Sequence, residues 1–446
     1  MKKQAPLRSL LFYDFAGVDF YYYFYPLTHI STMAIIRPFK GLRPKEELAA
    51  KVAARPYDVL SSEEAKAAAA GNPHSYYHVS KSEIDLPEGT DSHSQQVYDK
   101  AAENLQKLVK EGVLFQEEQP AYYIYKLVMN GRSQTGLVCA SSVDDYNKGI
   151  IKKHEFTRPD KELDRINHIK TTQAQTGNVF LAYNDVPEMN ALIDHWQQQN
   201  KPTYDFTADD GIQHTIWVIN TPAAVQEITT LFAEKVPCTY IADGHHRAAS
   251  ASLVQKEFQE KGKITSVENP VNYFLTTIFP ASQLAILDYN RLVKDLNGLS
   301  KADLLSRLDY DFTVEEIGHQ PQHPSMLHEF GMYLEGTWYR LVAKEGTYTT
   351  DPIGILDVTI LSNNILDKHL GIKDQRTDKR IDFVGGIRGL QELVKRVDSG
   401  EMKVAFALYP VTIQQLFDIA DSGNVMPPKS TWFEPKLRDG LITHMI

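Results

Sequence analysis

Two apolar runs that flank Asn130-Gly131 constrain this chain more than any other local feature. "AYYIYKLVM" (Ala121 to Met129) and "RSQTGLVCASSV" (Arg132 to Val143) enclose a dipeptide whose residues tolerate positive φ. A two-residue turn of that chemistry joins antiparallel strands, because its twist matches theirs. Helices are expected on the N-terminal side of this hairpin. The spacing predicts one over "PKEELAAKVAA" (Pro44 to Ala54), broken by the proline of "RPYDVL" (Arg55 to Leu60). Ser61 and Glu64 have capping-box spacing ahead of an alanine-rich helix that Gly71 and Pro73 should end. Another helix is expected from Gln95 to Lys110.

The middle of the chain alternates helix and strand. A helix through "DKELDRINHIKTTQAQTG", with Gly177 as its terminator, precedes the strand "NVFLAYN"; the helix "PEMNALIDHWQQQN" precedes the strand "HTIWVIN". Thr221-Pro222 opens a further helix. "VPCTYIA" reads as a buried strand running into Asp243-Gly244, followed by a helix from about His245 to Glu260 and the strand "VNYFLTTIF". After "LDYNRLV" a third region holds "SKADLLSRL", a hairpin-like "EFGMYLEGTWYRLVAK", further helices, the strand "KVAFALY" and the tail "MPPKSTWFEPKLRDGLITHMI". Mixed α/β architecture with some parallel pairing is the expectation. With no repeat, low-complexity tract or long linker, regions 33–149, 150–290 and 291–446 should pack against one another.

Length and composition narrow the function classes. At 446 residues the chain can hold two or three domains, and 42% hydrophobic with 23% charged residues is ordinary for a soluble globular protein. A net charge of −10 with scattered lysines and arginines argues against a nucleic-acid surface. Only Cys139 and Cys238 are present, so neither a disulfide framework nor a zinc knuckle is expected, and a reducing cytoplasm fits. Lys2 and Lys3 before "LLFYDFAGVDFYYYFYPL" imitate a signal peptide. Asp14 and Asp19 interrupt the run, however, and no small-residue cleavage site follows. No stretch approaches the ~18–20 apolar residues of a membrane span. "MAIIRPFKGLRP" from Met33 reads as a natural start, so residues 1–32 are expected to be a leader outside the fold.

The chemistry concentrates in "TYIADGHHRAAS" (Thr239 to Ser250). A helix N-terminus offers free N–H groups and partial positive charge to an anion. Gly244 lets backbone approach a ligand, and Arg247 in the first turn adds a forked cationic donor. His245 and His246 can donate, carry protons or bind metal. The plain alternative is that Asp243 caps the helix, the histidines are polar surface and Arg247 pairs with an acid. A second cluster, "IIKKHEFTRPDKELDR", places His154-Glu155 ahead of a helix carrying Asp164-Arg165. A glutamate beside a bound phosphate could deprotonate an attacking hydroxyl; charged pairs before a helix are also commonly just solvated. The HExxH zinc signature is absent, since Arg158 stands where the second histidine would be, so no metal site is assigned. "RPYDV" reads as a tight turn with Asp58 capping the next helix, in preference to a cleft lining. "DFVGG" (Asp382 to Gly386) has neither P-loop nor dinucleotide spacing. In the tail, Lys429, Ser430 and Lys436 are candidates to face a ligand.

In sequence order, "RPFKGLRP", "ARPYDVL", "KKHEFT", "YIADGHHRAAS", "LDYNR" and "MPPKSTWFEPKLRDG" resemble the bacterial and archaeal domain of unknown function family 1015, from Met33 to Ile446. That family is often placed in the ParB superfamily. "ADGHHR" is similar to the phosphate-binding turn of the ParB/sulfiredoxin fold, which includes ADP-dependent free-serine kinases. This deeper similarity spans about residues 150–279. It implies a ParB/sulfiredoxin-like core over 150–290, with N- and C-terminal α/β regions packed on it. It further implies nucleotide-phosphate binding by Asp243, Gly244, His245, His246 and Arg247. Glu155 would be the base, assisted by His154, and Arg165 would position the substrate. ADP or ATP with Mg²⁺ would be the cofactor, and a nucleotide and a small molecule the partners, with no membrane or nucleic acid.

The chain departs from that pattern in three ways. Glu155 and Asp243 are far apart in sequence, no helix-turn-helix is evident, and the sulfiredoxin cysteine is missing beside Gly244. The expectation is a nucleotide-dependent phosphotransferase acting on a serine-like alcohol. Its rivals are a non-catalytic nucleotide- or phosphometabolite-binding regulator and a ParB-like nucleic-acid-binding protein.

Overall fold

Tyr122–Met129 and Arg132–Ser142 pair antiparallel, from Tyr123 opposite Val138 to Met129 opposite Arg132. Asn130 and Gly131 close the turn at φ 51° and 78°, the left-handed pair such a hairpin needs. The structure, a computed structural model, describes residues 33–446. The leader reading of residues 1–32 lies outside the described residues.

The hairpin sits inside a nine-stranded sheet. In order its main path runs Ile151–Lys152, Thr239–Asp243, Val179–Tyr183, Tyr273–Pro280, Arg132–Ser142, Tyr122–Met129, Gln213–Ile219 and Tyr204–Thr207, with Ile36–Arg37 added beside Ser141 and Ala140. Two pairings are parallel: Ile151–Lys152 with Thr239–Asp243, and Val179–Tyr183 with Tyr273–Pro280. A second sheet of six strands is antiparallel throughout, in the order Phe312–Gly318, Thr337–Ala343, Glu329–Leu334, Val404–Leu408, Tyr289–Val293, Ile381–Gly385. The fold is therefore mixed α/β.

Alternation along the hairpin divides the core. Tyr122 and Ile124 face one apolar layer with Leu181, Ile241 and Ala248. Tyr123, Tyr125 and Leu127 face another, which continues through Phe180 and Phe279 to Phe330, Met332 and Phe406 of the second sheet. Both sheets thus share one buried layer. Among the described residues no helix is long and apolar enough to cross a membrane.

Three local expectations shift. Helix occupies only Ala49–Val52, after a 3₁₀ turn over Glu46–Leu48, because Leu42–Pro44 is drawn into a strand pair with Leu114–Gln116. The helix Pro159–Thr172 ends at Gln173, at φ 52°, rather than at Gly177, because Ala174–Gln175 pairs with His444–Met445. Ser61, not Asp58, caps Ser62–Ala69, in a full capping box with Glu64.

Candidate functional site

Parallel pairing of Ile151–Lys152 with Thr239–Asp243 sends two chain segments off the same sheet edge side by side. His154 and Glu155 thereby meet the turn at Asp243-Gly244. Gly244, at φ 95°, is the N-cap of the helix His245–Glu260 and supplies no side-chain cap. The N–H groups of the first turn are left without intrahelical acceptors. The left-handed φ is what requires glycine here. A Cβ at this position would also come within 3.0 Å of Arg247 Nε, whose guanidinium folds back over the turn.

The two histidines form one unit. Their rings meet edge to face, with centroids 4.5 Å apart. Both are buried, and burial lowers their pKa values, His154 to about 4 and His245 well below the ordinary value. Both are therefore neutral at pH 7. The His154 backbone N–H donates to His245 Nε2 at 3.5 Å, which places the His245 proton on Nδ1. That nitrogen lies 3.7 Å from Glu155 Oε2. Although 45% of the Glu155 side chain reaches solvent, its carboxyl lies in an atom-dense recess. Desolvation there raises its pKa, while Lys429 pulls it back. A carboxylate shifted upward and lying beside a neutral imidazole is suited to accept a proton. His246 stands apart, its Nε2 accepting from the Arg158 N–H at 3.1 Å.

Charge is arranged around Asp243. Its Oδ2 lies 3.2 Å from Arg247 Nη2 and 3.4 Å from Lys436 Nζ. Burial would raise its pKa, but Lys436 and Arg247 outweigh that and hold it below the usual carboxylate range. Arg247 is buried, donates to the Asn178 carbonyl, and leaves Nε without a partner. Arg165 lies 2.7 Å from Asp164 and stacks 3.9 Å above the Tyr57 ring. Arg165, Arg247, Tyr57, His168 and Gly177 line a small cavity of about 30 Å³. The structure thus joins Arg165 to Arg247, and among the described residues no ion pair or hydrogen bond joins Arg165 to Glu155.

Sequence reading missed part of this site. Tyr57 and Asp58 come from "RPYDV", which is a turn and also faces the cleft: Asp58 acts electrostatically on His246 and Arg247. Asp439, 2% exposed, lies among Arg247, Arg165 and Arg438. Of the tail candidates, Lys436 reaches Asp243 and Lys429 acts on Glu155, whereas Ser430 bonds the Pro427 carbonyl at 2.6 Å. The signal available was the density of lysine, arginine and acid in "KLRDG".

A family model described as a protein of unknown function (DUF1015) matches residues 36–359. No curated protein matches the chain. Among solved structures, a conserved hypothetical protein from Pyrococcus furiosus is 15% identical, covering 68% of this chain and 93% of its own, with a TM-score of 0.32. A free serine kinase in complex with AMP is 13% identical, over 67% of this chain and 86% of its own, with a TM-score of 0.32. SbnI from Staphylococcus aureus, with a C-terminal truncation, is 10% identical, over 68% and 86%, with a TM-score of 0.35. At these TM-scores the likenesses carry no argument about individual residues.

Proposed function

The chain belongs to the DUF1015 family, and on that premise we propose that it is a nucleotide-dependent phosphotransferase with a small alcohol acceptor. One observation carries the reading. An uncapped helix N-terminus, a buried arginine with an unpaired Nε, and an upshifted carboxylate 3.7 Å from a neutral histidine converge on one strand–helix junction. The N–H groups of His245, His246 and Arg247 receive phosphate oxygens, and the Arg247 guanidinium neutralises charge beside them. Glu155 takes the proton of the acceptor hydroxyl as its oxygen bonds to the terminal phosphorus. The nucleotide leaves with the electrons of the broken P–O bond. His245 Nδ1–H orients Glu155, and His154 fixes the His245 tautomer. Arg165 positions the acceptor from the Tyr57 side. Catalysis of this kind is mostly positioning and charge neutralisation.

Among the described residues no group of three His, Cys, Asp or Glu side chains is placed to hold a metal. Asp243 and Glu155 fit Mg²⁺ only as occasional carboxylate ligands to an ion carried mainly by phosphate oxygens and water.

A thermal-shift series with ADP, ATP, CTP and phosphate, with and without Mg²⁺, tests the reading on wild type and Arg247→Ala. A ligand at about 100 times its Kd should add ~2.7 kcal/mol, worth a few degrees of Tm. A nucleotide shift that disappears in Arg247→Ala supports the phosphate turn; no shift with any ligand sinks it. Glu155→Gln should then abolish transfer while sparing binding. The second reading, a non-catalytic nucleotide- or phosphometabolite-binding regulator, draws on the inward bonds of Arg247 to Asn178 and Asp243. Binding without turnover across an alcohol panel would favour it.

A further inference from the structure

Facing the phosphate turn, the tail builds an aromatic surface that the reaction above does not use. Trp432 lies on Trp432–Phe433, a strand paired antiparallel with Ile286–Leu287. Its indole is fixed from three sides. A Cβ at Gly385 would come within 2.8 Å of both Cδ2 and Cε3 and 3.0 Å of Cζ3, so the bare backbone of Gly385 backs the six-membered ring. The Tyr289 ring meets it edge-on, with centroids 5.2 Å apart. The indole N–H donates to Glu434 Oε1 at 2.9 Å, and the other oxygen of that buried carboxyl accepts from the Lys436 N–H at 3.1 Å. Despite this fixing, Trp432 remains half-buried, whereas Trp217 and Trp338 are buried. This gives "DFVGG" a role: its first glycine makes room for an aromatic ring.

The surface is tied to the turn by one side chain. Lys436 Nζ lies 5.2 Å from the centre of the indole and 3.4 Å from Asp243 Oδ2. Lys429 Nζ lies 5.7 Å from the Tyr289 ring centre, and Lys429 also acts on Glu155. A single ammonium therefore spans the gap between ring and turn, a gap of the kind a ribose fills between a base and its phosphates. The lysine stem is flexible enough to leave the ring for a phosphate oxygen when a planar group replaces it.

We propose that Trp432 is the base-stacking subsite of the nucleotide whose phosphates sit on the Asp243–Arg247 turn. The inference rests on the phosphotransferase reading only for the phosphate position. Stacking tolerates any base, because every base presents a π-face. The subsite accordingly takes purine and pyrimidine nucleotides, with the larger ring systems held more tightly.

Calorimetric titration of ATP, CTP and pyrophosphate into wild type, Trp432→Leu and Trp432→Phe separates the possibilities. The expected result is a roughly tenfold weaker ATP affinity in Trp432→Leu, with pyrophosphate unchanged and Trp432→Phe within about threefold of wild type. In wild type, ATP but not pyrophosphate should quench indole emission, and Trp432→Phe should lose that quench; this arm needs no Leu variant to fold. Nucleotide affinity and emission that ignore the substitutions overturn the stacking subsite and leave the phosphate turn standing. Binding of neither ATP nor pyrophosphate to wild type overturns both.

Discussion

Two junctions in this molecule use the same local device, a strand that runs into glycine and gives way to a helix, and they use it oppositely. At Thr239–Asp243 and His245–Glu260 the glycine supplies handedness: Gly244 sits at φ 95° and starts a sixteen-residue helix with no side-chain cap. At Ile381–Gly385 and Leu390–Asp398 the glycines supply space. Gly385, at φ −65°, lets the Trp432 ring approach, and a Cβ on Gly386 would land in the Asp288 side chain, 3.0 Å from its carbonyl oxygen. Their arginines differ likewise. Arg247 is buried and keeps an unpaired Nε; Arg396 bonds two half-exposed acids, Asp382 and Glu401. The motif does not decide function; what the surrounding chain brings to it does.

The sharpest break of this comparison is Arg247→Met against Arg396→Met. The first removes a buried guanidinium from Asp243 and the Asn178 carbonyl and should lower unfolding stability by ~3–5 kcal/mol. The second should lower it by ~1 kcal/mol or less. Equal losses in urea denaturation would erase the distinction. Next come the glycines: Gly386→Ala should lose ~2–3 kcal/mol through overpacking, and Gly244→Ala ~1–2 kcal/mol through left-handed strain. Gly244→Asn should recover part of the second loss, since asparagine tolerates that region, whereas nothing larger than glycine should be tolerated at Gly386.

A pH dependence belongs to the first junction. Burial pushes the Asp439 carboxyl up to about 8, against the pull of Arg247. The folded state thus holds a proton that the unfolded chain releases near its free value of ~3.9. That stabilisation is complete below about pH 4 and is lost as pH rises towards 8. Asp439→Asn should therefore gain on wild type by up to ~1.4 kcal/mol per pH unit between about pH 5 and 8, followed by denaturation at several pH values. Glu401, beside Arg396, is held below its ordinary value chiefly by that arginine's hydrogen bond, so Glu401→Gln should leave the slope in this window unchanged. The smallest contrast lies in the caps. Ser61→Ala and Ser300→Ala each remove a capping box and should each lose ~1 kcal/mol. Only Ser61→Ala, three residues from Asp58, should also weaken nucleotide affinity.

What the sequence disclosed was local. Asn130-Gly131, the Ser61–Glu64 box, the helix Gln95–Lys110 and the strand–glycine–helix passage at Gly244 are written in neighbouring residues, and each forms. The unread part was non-local. Nothing near Ala174 announces that it will pair with Met445, so the residues alone predict a longer helix than forms. His154 meets His245 because short strands far apart in sequence run parallel, a contact the residues alone did not give and a family resemblance only suggested. Asp439 and Trp432 reach the turn by a return of the chain that no periodicity records.

That return has a consequence in time. Segment 426–446 leaves the ribosome after both sheets, yet it carries Lys429, Trp432, Lys436 and Asp439, and its Met426 N–H bonds the His154 carbonyl at 2.8 Å. A nascent chain that has finished both sheets still has Asp243 without its lysine and Gly385 without its indole. Synthesis therefore brings Lys436 to Asp243 and the indole to Gly385 only after the strands of both sheets are made, so this side of the junction is the last to be completed.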